Sequence, residues 1–178
     1  MSRRSDHDNA VLHAISLSSI DLLGYFEYRV GRDDAPDLLA ETMTTAWRRS
    51  ADLPSSQVEA RMWLYGIARN VLANAERGGR RRWRLANKLR ALTTPQSIVG
   101  VPADAGIEIR DAVDRLPKDQ AELVRLIHWD GFTIADAAQL CGIPDSTARS
   151  RYQAAKLRLR ETLEPDRPEP TQIPAIRC

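Results

Sequence analysis

From Phe132 to Arg151 the chain reads FTIADAAQLCGIPDSTARSR, and this stretch decides its fold. Thr133 followed by Asp136 forms a capping box in which the acid is shorter than the usual Glu, so a helix is predicted to begin there. Gly142 ends that helix, because the turn after it needs a residue that tolerates positive φ. Pro144 suits the first turn of a second helix. Two helices joined through a glycine turn indicate a helix-turn-helix.

The second helix of this motif carries side chains that can read DNA. Arginine can pair with guanine, glutamine can pair with adenine, and serine or threonine can bond to phosphates. No acidic residue lies between Arg149 and Arg160. A solvated surface helix would also carry charges, but the capped helix and glycine turn before it favour DNA recognition. The candidate DNA-binding residues are Ser146, Thr147, Arg149, Ser150, Arg151, Gln153 and Lys156.

Charge is distributed unevenly along the 178 residues, although the net charge is only +2. Acidic residues cluster between Asp33 and Glu41, and seven cations without an acid lie between Arg77 and Arg90. The basic run surrounds Trp83, and cations beside an aromatic ring suit an unpaired nucleic-acid strand. A solvated helix or a basic linker is the alternative reading of the same run.

The cysteine count and the hydropathy indicate where the protein works. Two cysteines, Cys141 and Cys178, make no disulfide framework and favour a reducing compartment. No apolar run reaches the length of a membrane span, and the first residues lack an apolar signal core. We therefore expect a cytoplasmic protein that does not insert into a membrane. Cys141 is expected to be a small buried apolar residue rather than a sensor.

Nothing in the sequence suggests an enzyme. His7, His13 and His128 do not have the spacing of metal ligands, and neither a phosphate-binding loop nor a nucleophile elbow is present. The prediction is therefore a protein with no catalytic residues, no metal site and no cofactor.

The spacing of apolar residues predicts an all-α chain of two small helical domains. A short helix is expected between Ile20 and Val30, another after Pro36, and a third from about Val58, which Gly78-Gly79 should break or kink. The stretch from Thr93 to Ala105 has prolines and no helical period, which is typical of a linker. The predicted organisation is a flexible N-terminus over 1–17, a first domain over 18–92, a linker over 93–105, a helix-turn-helix domain over 106–164 and a proline-rich tail over 165–178.

Three pieces of sequence, in order, resemble the extracytoplasmic-function (ECF) group of RNA polymerase sigma factors in the sigma-70 family. The stretch from Asp37 to Met43, followed by Ala46-Trp47-Arg48, is similar to the family's region 2.2. The stretch from Trp63 to Asn70 is similar to its region 2.3 to 2.4. Leu116 to Gln120, followed by the helix-turn-helix, is similar to its region 4. The resemblance covers about residues 18–164.

The resemblance implies a sigma factor that binds core RNA polymerase and directs promoter-specific initiation. Region 2.2 would dock on the clamp helices of the β′ subunit, region 2.3 to 2.4 would open the −10 element, and region 4 would read the −35 element and sit on the β flap. The implied docking residues are Asp37, Leu38, Glu41, Trp47 and Arg48. The implied −10 residues are Asn70, Arg69, Arg77, Arg80, Arg81 and Arg82.

Two of these residues have a simpler reading, and one loop departs from the family. Trp47 lies at core spacing and could pack inside, and Asn70 could be only an exposed helix residue. In the loop from Leu53 to Gln57 the family commonly has an aromatic and a glycine, which are absent here. No residue of that loop is therefore assigned to the flipped −10 base. Many family members are held by an anti-sigma factor, so one is a candidate partner, and a monomer is expected when the protein is free.

Two other functions compete with the sigma reading. A free-standing helix-turn-helix regulator would bind DNA as a dimer, but it needs a receiver or ligand domain ahead of the motif. The first ninety residues are predicted to be helical rather than alternating strands and helices. A protein that only titrates a partner is the other possibility, and the intact basic recognition helix argues against it.

Overall fold

The computed structural model describes residues 2–90 and 103–163, and the side chains of 9–77 and 108–163. Every regular element in these ranges is a helix, which confirms the predicted all-α fold. The elements are α1 (Ser2–Val30), α2 (Ala35–Arg48), a short 3₁₀ helix (Ser50–Asp52), α3 (Gln57–Arg90), α4 (Ala103–Asp114), α5 (Lys118–His128), α6 (Ile134–Cys141) and α7 (Asp145–Leu163). The predicted linker lies mostly, and the proline-rich tail wholly, outside the described residues.

Helices α1, α2 and α3 form a three-helix bundle, which we call the N-terminal half. Gly31, at φ 89°, turns the chain from α1 into α2, and Pro36 lies in the first turn of α2 as predicted. The buried side chains recur at helical spacing, so each helix buries one stripe. They include Leu22, Tyr25, Phe26, Leu38, Ala46, Leu64, Tyr65, Ile67, Ala68 and Val71.

Helices α4 to α7 form the C-terminal half, in which α7 packs on α4, α5 and α6. The helix-turn-helix has the geometry that its sequence predicts. The backbone N–H of Asp136 donates to Thr133 Oγ1 at 3.1 Å, and the N–H of Thr133 donates to Asp136 Oδ2 at 3.2 Å. Gly142 has φ 65°, and the small side chains of Ala138 and Ala148 are buried between the helices. Helix α7 begins at Asp145, directly after Pro144.

Two helices differ from their predicted extents. Residues 1–17 were expected to be flexible, but helix α1 begins at Ser2. Val11 and Ser18 continue the buried stripe of this helix towards its N-terminus. Helix α3 runs through Gly78-Gly79 to Arg90, so the expected break is wrong. A glycine costs a helix only about 1 kcal/mol relative to alanine, and the strong helix formers on both sides offset that cost.

The two halves share one apolar core. Phe132, in the turn before α6, is only 6% exposed and meets the ring of Tyr65 of α3 edge-on at 4.7 Å. Trp129 meets Tyr28 of α1 at 5.7 Å, and Tyr65 in turn contacts Tyr25 at 5.4 Å. The turn between α5 and α6 is therefore seated against α1 and α3. No helix in the described part of the chain is long and apolar enough to cross a membrane.

Candidate nucleic-acid interface

The candidate DNA-binding residues of α7 lie on its exposed and half-buried side. Ser146, Arg149, Ser150 and Gln153 are exposed, and Thr147, Arg151 and Lys156 are partly exposed. Both arginines of the first two turns already have acidic partners. Arg149 donates to Asp145 at 2.7 Å within α7, and Arg151 lies 3.2 Å from Asp119 of α5. Exposed pairs of this kind contribute about 0–1 kcal/mol, so DNA phosphates or bases could replace the carboxylates at small cost.

The −10 candidates lie along the second part of α3. Asn70 is exposed, so its amide is available to a base edge. Arg77 bonds to the Ala73 carbonyl at 3.2 Å and to the Asn74 side chain at 2.6 Å, on an exposed turn of the helix. Arg69 instead faces the other half, with Nε 3.8 Å from Glu122 of α5. Arg80, Arg81 and Arg82 lie on α3, and their side chains are outside the described ones.

The docking candidates of α2 divide into one buried and four exposed residues. Leu38 is 7% exposed and belongs to the core of the N-terminal half. Trp47, which could have packed inside, is 43% exposed. Asp37, Glu41 and Arg48 are also exposed. Thr42 takes the buried place beside Leu38 and donates its hydroxyl to the Leu38 carbonyl at 2.8 Å. The polar face of α2 is therefore open to a partner.

A cavity of about 630 Å³ lies beside the loop from Leu53 to Gln57. Its other wall is α1, which contributes His13, Leu17 and Asp21, and Asp21 lies 3.3 Å from Arg61 of α3. These residues of α1 were not predicted, because the first helical domain was expected to begin at residue 18. The signal was present, since Val11, Ser18, Leu22 and Tyr25 already fall on one helical face.

A groove of about 330 Å³ separates α3 from the helix-turn-helix, and we call it the interhalf groove. Arg69 of α3 and Arg151 of α7 both line it, as do Asp119 and Glu122 of α5. Cys141 also lines it and is partly buried rather than fully enclosed, and burial raises the pKa of its thiol. The groove thus brings together one candidate −10 residue and one candidate −35 residue.

Glu122 of this groove also belongs to a group of polar side chains that we call the Arg29 cluster: Arg29, Arg61, Tyr65, Glu122 and Asp130. The Arg29 guanidinium donates to Glu122 at 3.0 Å, to Asp130 at 3.3 Å and to the carbonyl of Tyr25 at 2.8 Å. Arg61 donates to the Asp130 carbonyl at 2.6 Å. Tyr65 donates its hydroxyl to the Asp130 carboxylate at 3.4 Å. Every one of these bonds, except that to Tyr25, joins the two halves.

Burial governs the ionisation of the Arg29 cluster. The side chains of Arg29 and Asp130 are each only 5% exposed. Burial raises the pKa of Asp130 to about 6, although the nearby Arg29 guanidinium lowers it. Burial opposes the charge of Arg29, but the carboxylates of Glu122 and Asp130 outweigh it and raise its pKa. Burial also raises the pKa of the Tyr25 and Tyr65 hydroxyls, so both stay neutral. The cluster therefore holds buried charges that are paired across the two halves.

Within the described residues, no group of three or more His, Cys, Asp or Glu side chains could hold a metal ion. The geometry instead offers three separate polar surfaces, on α2, α3 and α7, of the kind that bind macromolecules.

Comparison with known proteins gives relatives over most of the chain. A family model described as Sigma-70, region 4 matches residues 106–159. The ECF RNA polymerase sigma factor EcfG of Rhodopseudomonas palustris is 35% identical over 136 residues, 75% of this chain and 74% of that protein. The ECF sigma factor SigC of Mycobacterium tuberculosis is 31% identical over 159 residues, 85% of this chain and 82% of that protein.

Solved structures agree with the sequence relatives. The sigma factor RpoE of Bartonella quintana, crystallised with the anti-sigma factor NepR, has a TM-score of 0.61 at 28% identity and covers 91% of this chain and 99% of its own. CnrH, solved with the cytosolic domain of CnrY, has a TM-score of 0.63 at 17% identity over 92% of this chain and 96% of its own, which shows the same fold. The prediction of a sigma factor is confirmed over that of a free-standing regulator. The chain belongs to the ECF sigma factors of the sigma-70 family, proteins that direct RNA polymerase to initiate transcription and are not themselves enzymes.

Proposed function

We propose that α2 is the helix through which this sigma factor docks on the β′ clamp helices of core RNA polymerase. The observation that carries the proposal is the open polar face of α2, with Trp47 43% exposed beside exposed Arg48. Asp37 and Glu41 lie on the same helix and supply charge that a docking partner could desolvate. Leu38, the remaining docking candidate, is buried and supports the helix from inside the core.

The two DNA-reading parts divide the promoter between them. Asn70, Arg69 and Arg77, with Arg80, Arg81 and Arg82 further along α3, would bind the −10 strand once it is unpaired. The side chains of α7 would read the −35 element in the major groove while the C-terminal half rests on the β flap. Melting costs about 1.4 kcal/mol of stacking per base-pair step, and cations and base-binding groups on the unpaired strand offset that cost.

The cavity beside the loop from Leu53 to Gln57 is the place we assign to a flipped −10 base. A flipped base needs a pocket with hydrogen-bonding groups on its edge. His13 and Asp21 of α1 and Gln57 of α3 offer such groups beside the apolar side chain of Leu17. The proposal therefore extends the −10 site from α3 to the N-terminal part of α1.

The partners follow from the family and its relatives. We propose core RNA polymerase and promoter DNA as the working partners, which supports a cytoplasmic protein. The RpoE of Bartonella quintana was crystallised with an anti-sigma factor, which supports a similar regulator for this chain. We propose that the free protein is a monomer, because each surface described above is complete within one chain.

Run-off transcription tests the proposed function. Purified protein is added to core polymerase on a library of fragments from its own genome, and transcripts are mapped. We expect discrete start sites that share sequence about 10 and about 35 positions upstream. Omitting the protein is the control for transcription by core enzyme alone. If no fragment gives a transcript that depends on the protein, the proposed division of work is wrong.

A further inference from the structure

We infer that the Arg29 cluster holds the free protein closed, in a form that cannot read both promoter elements but can still dock on core polymerase. The bonds of the cluster give the direct evidence. Arg29 belongs to α1, whereas Glu122 and Asp130 belong to α5 and the turn after it, so the guanidinium ties the two halves together. The effect of closure on promoter binding rests on the proposed function, whereas the closed geometry itself does not depend on that function.

In the closed arrangement, the two candidate DNA-reading helices, α3 and α7, each contact α5 through an arginine. Arg69 of α3 lies 3.8 Å from Glu122, and Arg151 of α7 lies 3.2 Å from Asp119. Positions three apart on a helix are neighbours, with about 5–6 Å between their Cβ atoms. The candidate −10 arginine and the candidate −35 arginine are therefore bound about one helical turn apart.

Promoter DNA requires a much larger separation. Elements centred about 25 base pairs apart lie roughly 85 Å apart along B-DNA, at about 3.4 Å per base pair. The groove between the readers has a volume of only about 330 Å³. The two halves must therefore separate before both elements are bound, and the cluster with its apolar contacts opposes that separation.

The cluster is suited to a contact that is closed or open with no stable intermediate. Arg29 bridges two carboxylates and lies 3.6 Å above the Tyr25 ring, while Arg61 lies 4.3 Å from the Phe132 ring. Buried charges are favourable only while every partner is present, so loss of one partner should open the contact rather than loosen it. In the open form the same charges would be solvated and would carry little cost.

Arg29→Met tests the inference, because it removes the cation that bridges Glu122 and Asp130. Small-angle X-ray scattering of the full chain should give a larger radius of gyration than that of the wild type. Arg115→Met is the matched control, since Arg115 is exposed and belongs to neither the cluster nor the groove. Where Arg29→Met does not fold by circular dichroism, Glu122→Gln removes one charge with little change of shape.

The second readout is the affinity for a promoter fragment that the wild type transcribes with core polymerase. Arg29→Met should bind the fragment at least about fivefold more tightly, the lower end of typical coupling between two states. For a fragment that retains only its −35 element, the gain in affinity should be smaller. Opening helps most when both linked halves of the protein can bind the same DNA. Arg115→Met should show no gain on either fragment.

The outcomes separate the inference from the proposed function. If Arg29→Met and Glu122→Gln both stay as compact as the wild type, the cluster does not hold the halves together. If they expand without tighter promoter binding, the closed form is not inhibitory. If the wild type supports no transcription with core polymerase, the proposed function fails, while the scattering result still decides whether the cluster closes the molecule.

Discussion

Two faces of the N-terminal half differ in what covers them. The α2 face carries Glu41, Trp47 and Arg48 in the open, and α2 packs mainly on α1 and α3. A second face, around Arg29 and Tyr65, is covered by the turn between α5 and α6. The surfaces that we propose for polymerase docking and for promoter reading therefore differ in accessibility in the same free protein. Under this proposal docking can come first, and reading both promoter elements needs a further opening step.

The largest expected effect is on the free energy of unfolding, when a buried side chain of the covered face is compared with an exposed one of the α2 face. Tyr65 is fully buried and contacts the rings of Tyr25 and Phe132, so Tyr65→Ala should reduce the free energy of unfolding by about 3–5 kcal/mol. Trp47→Ala on the open face is the control and should cost roughly 1 kcal/mol or less. Urea denaturation measures both. Equal losses would mean that the covered face is no more integral to the fold than the open one.

A substitution on the open face of α2 should weaken binding to core polymerase. Glu41→Ala should weaken the affinity for core polymerase by about 2 kcal/mol or more if docking desolvates the carboxylate, because truncating one partner of a buried pair leaves the other unpaired. Glu161→Ala removes the same charge from an exposed position at the end of α7 and should leave core affinity unchanged. Fluorescence anisotropy at physiological salt measures both variants. An unchanged affinity for Glu41→Ala would remove this residue from the interface.

The DNA-reading face should lose sequence preference before it loses binding. Arg151→Ala should cost about 1–3 kcal/mol of promoter affinity in the holoenzyme and relax preference at one −35 position. Arg158→Ala, at an exposed position further along α7, should not relax preference at any base position. Band shifts on fragments with single −35 substitutions measure the effect. Uniform weakening on all sequences would show that Arg151 contacts phosphate only.

Features that depend on neighbouring residues could be predicted from the sequence, and contacts between distant residues could not. The helix-turn-helix was predictable because Thr133, Asp136 and Gly142 act on their own backbone neighbours. The contact that closes the molecule was not, since Arg29 and Glu122 are 93 residues apart and each resembles an ordinary surface charge in the sequence. Charges that pair across the fold have no periodic signal, so only the structure shows that they are buried.

The same distinction explains the remaining differences. Trp47 falls at core spacing on α2, but Thr42 and Ala46 fill the buried stripe, so the indole is left outside. Gly78-Gly79 has the local preference of a break, and the long helix α3 continues through it. In both cases the local pattern covers only one or two turns, and the neighbouring helices or the rest of the helix decide the outcome.

The smallest expected effect is the pH dependence of closure. Burial raises the pKa of Asp130 to about 6 in the closed form, whereas a solvated aspartate titrates near its ordinary value of about 3.9. The groups facing it are Arg29 of α1, Arg61 and Tyr65 of α3, and Glu122 of α5. Between about pH 4 and pH 6 the closed form therefore binds more protons than the open form.

The sign of the effect follows from that difference in bound protons. Closure should strengthen as the pH falls through about 6 and weaken as Asp130 ionises above it. Between about pH 7.5 and about pH 5.5 the ratio of closed to open molecules should rise about fourfold, or roughly 0.8 kcal/mol. Arg29→Lys retains the cation but weakens its bridge to two carboxylates, so this variant should populate both the closed and the open form. Small-angle scattering of Arg29→Lys can then measure the change with pH. Adding Asp130→Asn to that variant keeps one side-chain acceptor oxygen and the backbone carbonyl that Arg61 contacts, and it removes the titration, so the radius of gyration should not change with pH. If it keeps the same pH dependence as Arg29→Lys alone, another group controls closure.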